Sequence, residues 1–122
     1  MRAFKTRTFQ RWAGKAGVTD ASLLDALGHM ERGLIDADLG GNLYKQRLAL
    51  PGRGKSGSTR TIIATRFAGV LFFLYGFEKN ARDNITAREL ALYQRLAREL
   101  LEMDDARISA ALSAQVLMEV TR

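Results

Sequence analysis

The chain has 122 residues, 47% apolar and 26% charged, which suits one domain with a single core. It has no cysteine and one histidine, so disulfides and thiolate metal sites are excluded and a histidine-rich metal site is disfavoured. Net charge is +6 and unevenly spread: residues 1–82 hold 14 Lys/Arg against 6 Asp/Glu, and residues 83–122 hold 5 against 7.

Residues Arg2–Lys5 suit a short first strand. From Thr6, the segment "TRTFQRWAGKAG" puts Phe9, Trp12, Ala13 and Ala16 at helical spacing, with Gly14 a mild breaker and Gly17 a C-cap. Phe9 and Trp12 read as core. A second helix opens at Thr19 or Asp20 and carries the stripe Leu23, Leu27, Met30 and Leu34, ending near Gly33. The segment "DADLGGN" reads as a turn cluster. Beyond it the period changes to two, with Tyr44, Leu48 and Leu50 on one side of a strand and Lys45 and Arg47 on the other.

After a glycine-rich loop, a strand over about Thr59–Phe67 turns at Ala68-Gly69 into a second strand over about Val70–Glu78. The second strand is apolar on both faces, so it is expected at the centre of a covered sheet. The segment "NITARELALYQRLARELLEMDD" is the clearest helix. Thr86 and Glu89 form its capping box, and Leu90, Tyr93, Leu96, Ala97, Leu100 and Leu101 form its apolar stripe. A short helix over Asp105–Ala114 follows, and "VLMEV" suits a short strand or an interaction tail. The expected fold is α+β: a small twisted antiparallel sheet packed against two N-terminal helices and a C-terminal helix. Its order is β-α-α-β-β-β-α with a short extension.

The opening "MRAFKTRTFQ" has no apolar core of the kind a secretory signal needs. The longest apolar run, "AGVLFFLYGF", is about half of the ~20 residues a membrane helix requires. A cytoplasmic protein is the expectation, with no membrane partner. Between Asp38 and Glu78 there is no acid, yet Lys45, Arg47, Arg53, Lys55, Arg60 and Arg66 all fall there. A one-signed field of this kind attracts polyanions, with nucleic acid first among them.

The loop "LPGRGKSGSTR" invites comparison with a nucleotide-binding P-loop. That motif needs a glycine five residues before Gly54, where this chain has Ala49, and a helix after it, where this chain has the strand-forming "TRTIIATRF". Without a helix N-terminus, no row of backbone N–H groups aims at a phosphate.

The block "DADLGGNLYKQRLALPGRGKSGSTRTIIA", followed by "FFLYGFEKNARDNIT", resembles the RelE/ParE superfamily of bacterial toxins, most closely its HigB-like, RelE-type branch. The matching parts are the Lys-x-Arg strand, the "GKSGS.R" loop entering a strand, and the "YGFEKN" strand end before a capped helix. The resemblance covers residues 1–103 as a RelE-like toxin domain, with 104–122 an extension of the same domain. It implies a toxin of a type II toxin-antitoxin system that acts as a ribosome-dependent endoribonuclease, cutting messenger RNA in the ribosomal decoding site. It also implies a cognate antitoxin as partner, and neither metal nor organic cofactor.

Metal-free RNA cleavage proceeds by attack of the 2′-hydroxyl on the adjacent phosphate. It needs a base, charge stabilisation on the phosphorane and an acid for the leaving 5′ oxygen. The lone histidine, His29, lies away from the apolar stripe of its helix and reads as surface. The chemistry then falls on Lys55, Arg60, Tyr75 and Lys79. Arg60 matches the arginine after the family's glycine-rich loop, and its planar fork suits a phosphate. Lys55 suits charge neutralisation or the base. Tyr75 suits base stacking or proton donation, and Lys79 an acid or a phosphate contact. Lys45, Arg47 and Arg53 would grip the RNA backbone, and Phe77 would stack on a base. Arg82 is a weaker candidate. Better-known relatives carry a catalytic aromatic or histidine near the chain's end, whereas no aromatic or histidine follows Tyr93 here. Two other readings stand beside this one: a ParE-like poison of DNA gyrase, and a non-catalytic nucleic-acid- or antitoxin-binding module.

Overall fold

Each helix starts and stops where its local chemistry directs. In the computed structural model, which describes residues 1–50 and 59–121, the elements are β1 Arg2–Thr6, α1 Arg7–Ala16, α2 Asp20–Glu31, β2 Ala37–Gly40 and β3 Leu43–Leu48. They continue with β4 Thr59–Thr65, β5 Val70–Glu78, α3 Ala87–Leu101, α4 Asp105–Ser113 and β6 Leu117–Glu119. Thr6, Thr19, Thr86 and Asp104 cap α1, α2, α3 and α4, each accepting a hydrogen bond from a first-turn backbone N–H. Helix α1 runs through Gly14 and ends at Gly17 in the left-handed region (φ 74°).

Helix α2 stops one turn short of the expected stripe. Gly33 adopts φ 82°, and the N–H groups of Gly33 and Leu34 close back on the carbonyls of Met30 and His29. Leu34 is therefore 58% exposed, outside the core.

The strands form one open sheet in the order β2-β3-β4-β5-β1-β6. The α+β class is as expected, but the sheet is mixed. Strand β1 runs parallel to β5, with Phe4 opposite Phe72, while the other pairs are antiparallel. The reason is connectivity. Strand β1 leads straight into α1 and cannot fold back as a hairpin, whereas β5 is apolar on both faces and buries fully only with a neighbour on each side.

The "DADLGGN" segment holds more than a turn. Ala37–Gly40 pairs with β3 as an edge strand, and Gly41 and Asn42, both at φ 63°, make the tight connection. Strand β4 ends at Thr65 because Phe67 turns to φ 56°. The C-terminal "VLMEV" supplies β6, antiparallel to β1.

Helices cover both faces of the sheet. On one face, Phe9 and Ala13 of α1 and Leu23, Ala26, Leu27 and Met30 of α2 pack with Leu48, Ile63, Leu71 and Phe73. On the other, Ala97, Leu100 and Leu101 of α3 and Ile108 of α4 pack with Phe4, Leu43, Ile62, Ala64, Phe72 and Phe77. Each fully buried Leu, Ile or Phe here contributes about 1.5–3 kcal/mol. An ion pair between buried Lys5 and half-buried Asp20 (2.7 Å) ties β1 to the start of α2, and the other Asp20 oxygen accepts from Thr121 N–H.

Candidate functional site

Strand register decides which candidates meet. Residues paired across adjacent strands share a face, so Arg47, Arg60 and Phe77 form one row across β3, β4 and β5. Lys45, Ile62 and Tyr75 form the next row. Five candidates from three strands therefore lie together on the face that α3 covers. Lys79 lies just beyond β5 and is exposed. Arg53 and Lys55 fall outside the described residues. His29 is exposed, its Nδ1 2.8 Å from the Asp25 carbonyl oxygen. Phe9 is fully buried and Trp12 packs against it, as expected.

The surroundings of these side chains differ from the expected open basic field. Arg60 is only 6% exposed, and its Nε lies 3.2 Å from Asp36 Oδ2. Glu78 accepts a hydrogen bond from Thr59 Oγ1. The stretch from Asp38 to Glu78 has no acid within it, but folding brings Asp36, from just outside it, onto Arg60. Phe77 is 4% exposed and sits in the core cluster with α3.

Tyr75 is the best-defined member of the site. Its ring stacks on Tyr93 of α3 (centroids 5.5 Å apart) and on Phe77 (6.0 Å). The Arg82 guanidinium lies 5.8 Å from both the Tyr75 and Phe77 rings and donates from Nη1 to the Tyr75 hydroxyl at 3.0 Å. Arg82 is itself gripped. Nη1 and Nη2 donate to the two Glu89 oxygens, and Nε donates to the Asn84 carbonyl at 3.0 Å. Glu89 meanwhile closes the capping box, its Oε1 accepting from Thr86 N–H at 2.8 Å.

The electrostatics follow from these contacts. The Arg82 hydrogen bond, with help from Thr86, pulls the Glu89 carboxyl down to about 2. Glu89 in turn raises the Arg82 guanidinium above its usual value. Burial pushes the Tyr93 phenol up to about 12, with Tyr75 and Glu89 adding to the shift. Glu89 and Tyr93 therefore hold their charge states through the neutral range: one anionic, one neutral.

From the sequence, Arg82 reads as a weaker candidate, and Glu89 and Tyr93 read only as helix residues. Tyr93 does belong to α3, but the stripe turns it onto Tyr75, so an aromatic from the C-terminal third reaches the candidate site after all. The available signal was the capping box, which fixes the orientation of the first turn of α3 against the end of β5.

The arrangement offers an aromatic ledge, a phenol held by a guanidinium, and cations on the neighbouring strands. Among the described residues, no group of three or more His, Cys, Asp or Glu side chains could hold a metal ion. No helix among them is long and apolar enough to cross a membrane.

A family model described as the RelE toxin of the RelE/RelB toxin-antitoxin system matches residues 1–120. The chain belongs to the RelE family. Neither the curated proteins nor the solved structures contain a match to it. As a RelE-family member it is the toxin of a toxin-antitoxin pair, and the family implies an antitoxin partner.

Proposed function

We propose that this RelE-family toxin is a ribosome-dependent endoribonuclease that cleaves messenger RNA by metal-independent 2′-hydroxyl attack, so blocking translation in the cytoplasm. The observation that supports the reading is the pair of adjacent rows, Arg47–Arg60–Phe77 and Lys45–Ile62–Tyr75, which puts two arginines, a lysine and a phenol on one sheet face. Arg60 and Arg47 would stabilise phosphorane charge, with the RNA phosphate replacing Asp36 as the partner of Arg60. Lys45 and Arg53 would hold the backbone. Lys55 would neutralise charge or take the 2′ proton, and Lys79 would contact a flanking phosphate. Phe77 would support Tyr75 from beneath rather than stack openly on a base. The "GKSGS.R" and "YGFEKN" segments favour the HigB-like branch.

The test is cell-free translation with the purified toxin, reading message ends by primer extension, beside Arg60→Lys and Arg47→Ala. Cuts within translated codons, weakened at least tenfold in Arg60→Lys, are expected, because lysine cannot reproduce the bidentate fork. Intact messages would sink the reading. Gyrase-dependent DNA breaks in their place would establish the ParE-like alternative, and tight RNA binding without cleavage the non-catalytic one.

A further inference from the structure

We infer that Glu89 and Arg82 form a positioning relay that presents the Tyr75 hydroxyl as the proton donor to the leaving 5′ oxygen. This rests on the RNA-cleavage reading above and gives its acid step an owner. A guanidinium has five N–H donors, no acceptor and no accessible neutral form. In the 3.0 Å Arg82–Tyr75 contact the phenol oxygen must therefore accept. Its own proton is left to point elsewhere, available to a substrate oxygen.

The donors of Arg82 are largely spoken for. Four hydrogen bonds run to Asn84, Tyr75 and the two oxygens of Glu89. A guanidinium committed in this way cannot offer a two-pronged grip to a phosphate, so its role is to orient Tyr75. Glu89 is anchored by Thr86 N–H at the start of α3, where the helix dipole favours an anion. Tyr93 and Phe77 hold the Tyr75 ring in the plane that this hydrogen bond requires.

In the step, the 2′ oxygen bonds to phosphorus and its proton passes to water. The P–O5′ bond breaks with its electron pair on O5′. The Tyr75 proton moves to O5′, and the phenolate beside Arg82 is reprotonated from solvent. The products are a 2′,3′-cyclic phosphate and a 5′-hydroxyl end.

The experiment uses ribosomes programmed with a synthetic message whose scissile linkage carries either oxygen or sulfur at the bridging 5′ position. A thiolate leaves without protonation, so the sulfur linkage has no need of an acid. Tyr75→Phe is expected to lose about 10²–10⁴ in kcat on the oxygen linkage and to fall within about tenfold of the unaltered toxin on sulfur. Arg82→Lys and Glu89→Gln are expected to lose about 10–100-fold in kcat on oxygen, with KM little changed and the same rescue by sulfur. Glutamine still serves the capping box, so Glu89→Gln keeps the start of α3 capped, and rescue by the sulfur linkage separates the relay from any loss of stability. Equal losses on both linkages would overturn Tyr75 as donor. Full activity of Glu89→Gln and Arg82→Lys on oxygen would overturn the relay. If the unaltered toxin cuts neither linkage, the cleavage reading itself falls and the inference with it.

Discussion

Gly76 lies between Tyr75 and Phe77 on β5, and its other side faces α1. A Cβ placed there would bring three ring carbons of Trp12 (Cζ3, Cε3 and Cη2) inside 3.0 Å, closer than real Cβ contacts come and short of the ~3.5–4.0 Å optimum. Gly76→Ala therefore forces one of two responses. Either β5 and α1 part, an overpacking strain of about 1–3 kcal/mol, or the ring swings out and loses its packing on Phe9, whose centroid is 5.3 Å away. The second route forfeits an aromatic contact of about 0.5–1.5 kcal/mol besides buried area. Backbone entropy alone would favour alanine over glycine by about 0.5–1 kcal/mol, so the sign of the result separates packing from propensity. We expect a net loss of about 2 kcal/mol, which for a domain of this size lowers Tm by about 8 °C. Thermal unfolding followed by circular dichroism measures it. Trp12 is the only tryptophan, so a red shift of its emission reports the ring's escape. Gly14→Ala, in the middle of α1 with nothing within 4 Å, should instead stabilise by about 0.5–1 kcal/mol. A Gly76→Ala protein as stable as the parent with unshifted emission would refute the account of this contact.

Three further predictions concern pH and a helix end. Glu89 has a depressed folded-state value of about 2 against an ordinary ~4.3. Its contribution is complete above about pH 4.3 and is lost as the pH falls toward about 2, so Glu89→Gln should flatten the acid limb of a Tm–pH curve. Tyr93 has a raised value of about 12 against ~10, so its contribution is complete below about pH 10 and is lost as the pH rises through about 12. Tyr93→Phe should flatten that alkaline limb, and parallel curves for parent and variant would contradict either assignment. At the end of α4, Gln115 holds φ 59° while Val116 N–H closes onto Ala111 O at 2.9 Å. Gln115→Gly relieves that left-handed strain and should stabilise by about 0.5–1 kcal/mol in denaturant melts, whereas a loss would show that the glutamine side chain holds the turn.

Sequence alone determined what depends on neighbours within a turn or two. A cap at Thr19 or Asp20, the Gly17 stop, the Thr86–Glu89 capping box and the β4–β5 hairpin all follow from residues a few positions apart, and all are present, with Thr19 the cap. Period-two spacing likewise put Lys45 with Arg47, and Tyr75 with Phe77. The sequence did not say who would stand beside β5, because an apolar strand requires covered neighbours without naming them. Tertiary structure chose β1, in parallel, across a connection of two helices and three strands. It also brought Asp36 to Arg60 and Tyr93 to Tyr75, and it turned Arg82 back onto both Tyr75 and the helix cap. These contacts join segments with no shared period and no fixed spacing. They exist only once the sheet has set its register and α3 has been laid across it.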